Sequence, residues 1–285
     1  DAVKALLKEA DNRLGFSISR MMFDGPDEEL MKTEFTQPAI LTASVAVSTI
    51  LREHGLTPDV VAGHSLGEYS ALVTAGALSF SDAIHVVHLR GKYMQEAVPL
   101  GEGGMAAIIA LDAESIKDIC NTISTEEKPV QAVNFNCPGQ VVIAGATEAV
   151  KQACNAMKEA GAKMAVMLKV SAPFHSIMME PAAVKLKEVL DTVTIQDAQM
   201  PVYANYNAAA EIKADIRKNL VLQAAHPVLW DASIQQMIAD GADLMIEAGP
   251  GTVLSGFMKR INRRIRTLHA EDVETVTNVL NTWEE

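Results

Sequence analysis

Apolar side chains recur at Val3, Leu6, Leu7, Ala10 and Leu14, a spacing that predicts a helix over residues 2–14, ended by Gly15. Asp24-Gly25-Pro26 reads as a turn. Pro26-Asp27-Glu28-Glu29 suits a helix start, with Pro early and acids near the positive end of the dipole. Thr36-Gln37-Pro38 opens a long helix over 39–53, closed by Gly55 and apolar nearly all round, as a helix buried against a sheet should be. Val60-Val61-Ala62 is a short buried strand and 68–73 a helix. Ser81-Asp82 caps a further helix running to about residue 97, with Arg90 inside it.

Gly101 to Gly104 marks a boundary, and the pattern then changes. Strands over 105–111, 130–136, 140–144 and 163–170 interleave with helices over 114–122 and 147–160, with a tight turn at Cys137-Pro138-Gly139. The order β-α-β-β-α-β is the ferredoxin-like signature, so residues 102–171 read as a small domain inserted into a larger one made of 1–101 and 172–285. After a non-periodic loop at 171–176 come helices over 179–190 and 212–224, another opening at Pro227-Val228-Leu229-Trp230, and strands over 201–205 and 243–246. Strands alternating with helices make the large domain α/β with a mainly parallel sheet, and there is no internal repeat.

Composition narrows the class. The chain has 285 residues, 49% hydrophobic and 21% charged, enough for a large core, and no apolar stretch reaches the roughly 20 residues a bilayer needs. Three cysteines without C-x-x-C spacing argue against a disulfide framework or a structural zinc, and suit a reducing cytoplasm. A net charge of -12 argues against nucleic acid as a partner. Lys259, Arg260, Arg263, Arg264 and Arg266 form a basic exception, open to two interpretations: a solvated helix face, or a site for an anionic partner.

The stretch that carries chemistry is Gly63-His64-Ser65-Leu66-Gly67, between the short strand and its helix. G-x-S-x-G in that setting is a nucleophile elbow, the α/β-hydrolase-like device that lifts a serine hydroxyl to the sheet edge and turns helix N–H groups toward an oxyanion. A serine nucleophile needs a base. Of seven histidines, His54, His85, His88 and His269 lie in helical or terminal settings that suit surface or packing roles, and His64 reads as a support for the turn. His175 and His226 both lie beside prolines in loops and remain rivals, His175 favoured by its place at a domain junction. Arg90, among Ile84, Val86, Val87, Leu89 and Met94, is either a snorkelling surface residue or a buried anion receptor, and periodicity alone favours the surface.

Thr36-Gln37-Pro38-Ala39, the elbow through Glu68-Tyr69, Arg90-Gly91-Lys92-Tyr93-Met94, Asn134-Phe135-Asn136 with Pro138-Gly139-Gln140, Phe174-His175-Ser176, Pro227-Val228 with Trp230, and Glu247-Ala248-Gly249-Pro250-Gly251 occur in one order along essentially the whole chain. This ordered set resembles the malonyl-CoA:acyl carrier protein transacylases of fatty acid and polyketide synthesis. The resemblance implies ping-pong transfer of malonyl from malonyl-CoA, through an ester on Ser65, to the phosphopantetheine thiol of an acyl carrier protein. It implies His175 as base and then acid, oriented by the backbone carbonyl of Gln223 in place of an acidic third member, which removes His226 as a rival. It further implies Leu66 N–H as an oxyanion donor, Arg90 on the malonyl carboxylate, and Met94, Asn134 and Phe174 at the substrate, Phe174 being open also to plain core packing. Lys163, Lys259 and Arg260 are implied as the carrier-protein dock. No metal or bound cofactor is expected, and a monomer is. The family also begins with a strand and a Gly-Gln-Gly-Ser-Gln segment that supplies a second oxyanion donor. This sequence starts after it, so an N-terminal segment beyond Asp1 is expected in the complete protein. Two other functions stay open on the residues: a serine thioesterase or esterase, and a catalytically inactive docking module.

Overall fold

The computed structural model describes residues 1–170, 172–211 and 215–284. Helices α1 (Ala2–Leu14), α2 (Ile18–Asp24), the single-turn α3 (Asp27–Leu30) and α4 (Thr33–Glu53) precede strand β1 (Val61–Ala62), which α5 (Gly67–Thr74) and α6 (Phe80–Glu96) follow. A second block runs β2 (Gly103–Ile109), α7 (Ala113–Ile123), β3 (Val130–Cys137), β4 (Gln140–Ala146), α8 (Thr147–Glu159) and β5 (Met164–Met167). The chain then passes through a single 3-10 turn (Ile177–Met179), α9 (Glu180–Leu190), β6 (Val202–Tyr203), β7 (Ala210–Glu211), α10 (Ile216–Ala225) and α11 (Trp230–Ala239). It closes with β8 (Leu244–Ala248), α12 (Val253–Ile261), β9 (Arg266–Ala270) and α13 (Val273–Thr282). Among the described residues no helix is long and apolar enough to cross a membrane.

Among the described residues, the elements outside the second block carry two small sheets where the sequence predicts one. β1 pairs in parallel with β6, which pairs antiparallel with β7, while β8 pairs in parallel with β9. In the second block all four strands form one antiparallel sheet in the order β3-β4-β2-β5. One face of that sheet closes with α7 and α8 over a core of Ile108, Ile116, Ile143, Val150 and Met157. Its other face presents Met105, Val133, Val142 and Ala144, and Phe174 packs there while also touching the main core. The loop that follows β5 is therefore clamped between the two parts of the chain. Pro173 abuts Gly103 of β2 so closely that a Cβ there would come within 2.3 Å of its ring.

Several boundaries differ from the sequence expectation for identifiable reasons. The long helix begins at Thr33, with Pro38 inside it. Proline has no N–H for the carbonyl four residues back. That carbonyl, of Glu34, instead accepts from Nδ1 of His88 at 2.9 Å, so α4 continues unbroken. The cap of α6 is Ser79, whose Oγ accepts the Asp82 N–H at 3.0 Å; the expected cap at Ser81-Asp82 is two residues late. The strand expected over 163–170 pairs only through Met167. Of the helix expected over 212–224, residues Ile212, Lys213 and Ala214 lie outside the described residues, and α10 begins at Ile216.

The main core lies between helices α1, α4, α5, α6, α9 and α10, around Leu41, Leu72, Ile84, Val87, Leu186 and Leu220. Within it α4 and α6 approach until a Cβ on Gly91 would lie 2.5 Å from the Thr33 carbonyl oxygen. This approach is what sets Gln37 of α4 beside Arg90 of α6. Gly91→Ala is expected to destabilise the protein by about 1–3 kcal/mol through overpacking against backbone. Gly256→Ala in α12, where nothing lies within 4 Å, is expected to leave stability unchanged or raise it by up to about 1 kcal/mol. Chemical denaturation of the two variants checks the contrast.

Candidate active site

Between β1 and α5 the chain reverses through Ser65, which takes a left-handed backbone conformation with φ of 52°. For a residue other than glycine that costs on the order of 1–2 kcal/mol, and surrounding contacts must hold it. They are present. The Ser65 N–H donates to Asn205 Oδ1 at 2.6 Å, Asn205 Nδ2 donates to the Gly63 carbonyl at 2.7 Å, and Gln223 Nε2 donates to the Ser65 carbonyl at 2.9 Å. The two glycines of the elbow have different parts. A Cβ on Gly63 would fall 1.9 Å from the backbone of Gly67, whereas one on Gly67 would meet nothing. His64 turns away from Ser65, its Nε2 donating to Asn136 Oδ1 at 2.8 Å and its ring lying against Trp230. It ties the elbow to β3.

His175 also has a left-handed backbone, with φ of 63°, in the loop clamped by Pro173 and Phe174. The side chain is buried. Its Nδ1 lies 2.7 Å from the backbone oxygen of Gln223 and its Nε2 lies 2.7 Å from Ser65 Oγ. A carbonyl only accepts, so Nδ1 carries the proton and Nε2 presents its lone pair to the serine hydroxyl. Burial, with the Arg90 charge adding to it, pushes the pKa of His175 down to about 3. The imidazole is thus neutral and able to accept a proton across the physiological range. The rival His226 is engaged elsewhere: Nδ1 bonds to the Leu222 carbonyl at 2.8 Å and the ring packs on the edge of Tyr206.

Arg90 is 2% exposed, so the surface role that periodicity favours is wrong. Nη1 donates to Gln37 Oε1 at 2.7 Å, and Nη2 donates to Gln223 Oε1 at 2.9 Å and to Ser65 Oγ at 3.1 Å. Every one of these acceptors is uncharged, and Nε has no hydrogen-bond partner. Among the described residues no carboxylate lies within 4.0 Å of the guanidinium. Burial lowers its pKa, yet arginine remains charged in proteins. The site therefore holds a desolvated cation with a free donor beside a serine hydroxyl, which is the environment a carboxylate-bearing ligand would complete.

The other expected residues fall into two groups. Leu66 N–H stands at the N-terminal end of α5, where the first N–H groups of a helix have no intrahelical partner. Met94 is buried behind Gln37, its sulfur 4.0 Å from Gln37 Nε2, so its contact is with the residue that seats Arg90. Asn134 lies at a bulge of β3 beside Val228, with a buried Oδ1 that has no partner. Phe174 is half-buried at the junction already described. Lys163, Lys259 and Arg260 are exposed and make none of the contacts at Ser65 described above. They do share a neighbourhood: Lys163 N–H bonds to the Ile109 carbonyl, Ile109 pairs with Gln140, and Arg260 Nη1 reaches Gln140 Oε1 at 3.4 Å. Gln37, Glu68 and Asn205 build the site without having been singled out by sequence, although Gln37 and Glu68 lie in the quoted motifs. An uncharged amide following a strand, as Asn205 does, gives no sequence signal.

Comparison with known proteins gives a consistent outcome. The family model described as acyl transferase domain matches residues 1–283. The malonyl CoA-acyl carrier protein transacylase of Bacillus subtilis is 50% identical over 285 residues, covering 100% of this chain and 90% of the relative. The solved malonyl CoA-acyl carrier protein transacylase of Coxiella burnetii superposes with a TM-score of 0.95 at 40% identity, over 98% of this chain and 89% of that one. A solved complex of a type II PKS acyl-carrier protein with its malonyl-transacylase matches with a TM-score of 0.95 at 45% identity, over 98% of this chain and 91% of that one.

The His175 geometry sets an expected pH dependence. The folded pKa of about 3 lies below the ordinary 6.5, so the base form persists as pH falls and is lost only near the folded value. Acylation of Ser65, followed by stopped-flow from pH 8 to pH 4, is expected to show no limb at pH 6.5 from this group.

Proposed function

This chain belongs to the acyl transferase domain family, and we propose that it transfers malonyl from malonyl-CoA to the phosphopantetheine thiol of an acyl carrier protein, supplying extender units for fatty acid synthesis. The observation that carries the substrate assignment is the buried Arg90 guanidinium, 3.1 Å from Ser65 Oγ and bonded only to neutral oxygens. The free carboxylate of malonate would take its unpaired donor. An acyl group without that carboxylate would leave the charge uncompensated.

The mechanism follows from the proton arrangement. Ser65 Oγ attacks the thioester carbonyl while its proton passes to His175 Nε2, and the negative oxygen of the tetrahedral intermediate faces the Leu66 N–H. Collapse expels the CoA thiolate, which takes the proton from His175 and leaves a malonyl ester on Ser65. The carrier thiol then gives its proton to His175 and attacks that ester, and Ser65 Oγ recovers the proton on leaving. The Gln223 carbonyl supports the imidazole in the tautomer each half requires.

We read residues 102–171 as a ferredoxin-like insert in an α/β-hydrolase-like domain of 1–101 and 172–285, acting as a monomer in the cytoplasm with neither metal nor bound cofactor. Asn134 and Phe174 are assigned to the acyl pocket and Met94 to its support. Lys163, Lys259 and Arg260 are assigned to an acidic carrier protein; their common position at one end of the four-stranded sheet supports this. Charge reversal at Lys259 and Arg260 together is expected to raise the KM for carrier protein several-fold, leave acylation by malonyl-CoA unchanged, and show a reduced salt dependence.

Intact mass spectrometry after brief exposure to malonyl-CoA tests the core of the proposal. A malonyl adduct lost in Ser65→Ala and discharged by holo carrier protein is the expected outcome; no adduct on the wild-type protein would overturn it. Arg90→Ala removes a buried charged partner, a loss on the order of 2–5 kcal/mol, so malonyl acylation is expected to fall roughly 30- to 5,000-fold.

A further inference from the structure

Glu68 is an acidic side chain sealed into the same site, and the mechanism above makes no use of it. It is fully buried in the first turn of α5. Its Oε2 accepts two hydrogen bonds at 2.9 Å, from the backbone N–H of Asn205 and from Nε2 of Gln223, while Oε1 has no partner. A buried carboxyl group with one oxygen so engaged and the other bare is costly unless it does something the fold requires.

What it does follows from the polarity of an amide. Oε2 is an acceptor, so it can meet only the NH2 end of Gln223. That fixes the amide in one of its two orientations: Nε2 faces Glu68 and the Ser65 carbonyl, and Oε1 faces Arg90 Nη2 at 2.9 Å. Turned over, the amide would set its oxygen against two acceptors and its NH2 against a guanidinium. Burial pushes the Glu68 pKa up to about 7, against the two hydrogen bonds that oppose it. A proton on the bare Oε1 still leaves Oε2 an acceptor, so the orientation holds in both protonation states.

We propose that Glu68 is a positioning residue for acyl selectivity, seating the Arg90 guanidinium beside Ser65 by fixing the orientation of the Gln223 side-chain amide. The proposal rests on the reading that Arg90 receives the acyl carboxylate. It separates from a purely structural role because the His175 partner is the Gln223 backbone carbonyl, which the side-chain amide does not control. Glu68 also holds Asn205, which with Gln223 supports the Ser65 backbone, so its loss is expected to slow acylation by either donor, with malonyl losing the more.

Two substitutions divide the carboxylate into its properties. Glu68→Gln keeps an acceptor at the same reach and removes the charge; Glu68→Asp keeps the charge and withdraws the acceptor by one methylene. The measurement is the rate constant for Ser65 acylation by malonyl-CoA and by acetyl-CoA, taken by quenched-flow and intact mass, with the ratio as readout. Glu68→Asp is expected to lower the malonyl-to-acetyl ratio roughly tenfold or more, the scale set by an unsatisfied buried partner, while Glu68→Gln stays within about threefold of wild type. Glu68→Ala, which removes the acceptor without adding bulk, is expected to follow Glu68→Asp and carries the test should the latter fail to fold. An unchanged ratio in Glu68→Asp and Glu68→Ala overturns the inference, as does a parallel fall of both rates, or a loss in Glu68→Gln alone. A wild-type protein with no preference for malonyl overturns the functional reading instead, and the inference with it.

Discussion

A guanidinium removed from water and, among the described residues, in contact with no carboxylate is the constraint on which the centre of this molecule depends. Such a cation is tolerated only where dipoles replace its hydration. Two glutamine oxygens, from Gln37 on α4 and Gln223 on α10, and one serine hydroxyl supply them. Placing Gln37 there requires the close crossing of α4 and α6 at Gly91, and that crossing in turn requires α4 to run uninterrupted through Pro38, which the His88 ring makes possible. A packing detail far from any chemistry is thus part of how the charge is held.

The same economy governs Ser65 and His175. Both adopt left-handed backbone conformations that neither residue type prefers, and the two side chains meet at 2.7 Å. Each is fixed from a different part of the chain: Ser65 by Asn205 after β6, His175 by a loop pressed between Pro173, Phe174 and the sheet of the second block. The strain at one residue is held by contacts that also aim the other, so the pair forms only when both parts of the fold are assembled.

How much of this was legible in the sequence depended on what each residue's signal was. The elbow was, because a glycine-flanked serine between an apolar run and a helix has few other uses, and β2 through β5 were, because their alternation and turn are local. Arg90 was not readable from periodicity, since a helix pattern records which neighbours are apolar and not whether a lone charge points inward; the ordered motifs corrected it. His175 and His226 sit beside prolines alike and each sets Nδ1 on a backbone carbonyl; the contact with Ser65 Oγ, made by His175, separates them. The two sheets outside the second block were expected as one because β1, β6 and β7, of two residues each, are too short to show a register. The side-chain amides of Gln37, Asn205 and Gln223 carry no charge or periodicity to mark them; Gln37 falls inside a motif and Gln223 is marked for its backbone carbonyl, while Asn205 gives no signal, yet the three hold the site together.

The neutral His175 imidazole also bears on what the ester intermediate can react with. On the proposed chemistry the acceptor hands its proton to Nε2 as it attacks, and a thiol, whose ordinary pKa is about 8.5, gives that proton up far more readily than water, at about 15.7. The Gln223 carbonyl, by holding the proton on Nδ1, keeps the lone pair of Nε2 turned to the incoming group. The energy of the original thioester is therefore passed to another sulfur in preference to being lost to solvent.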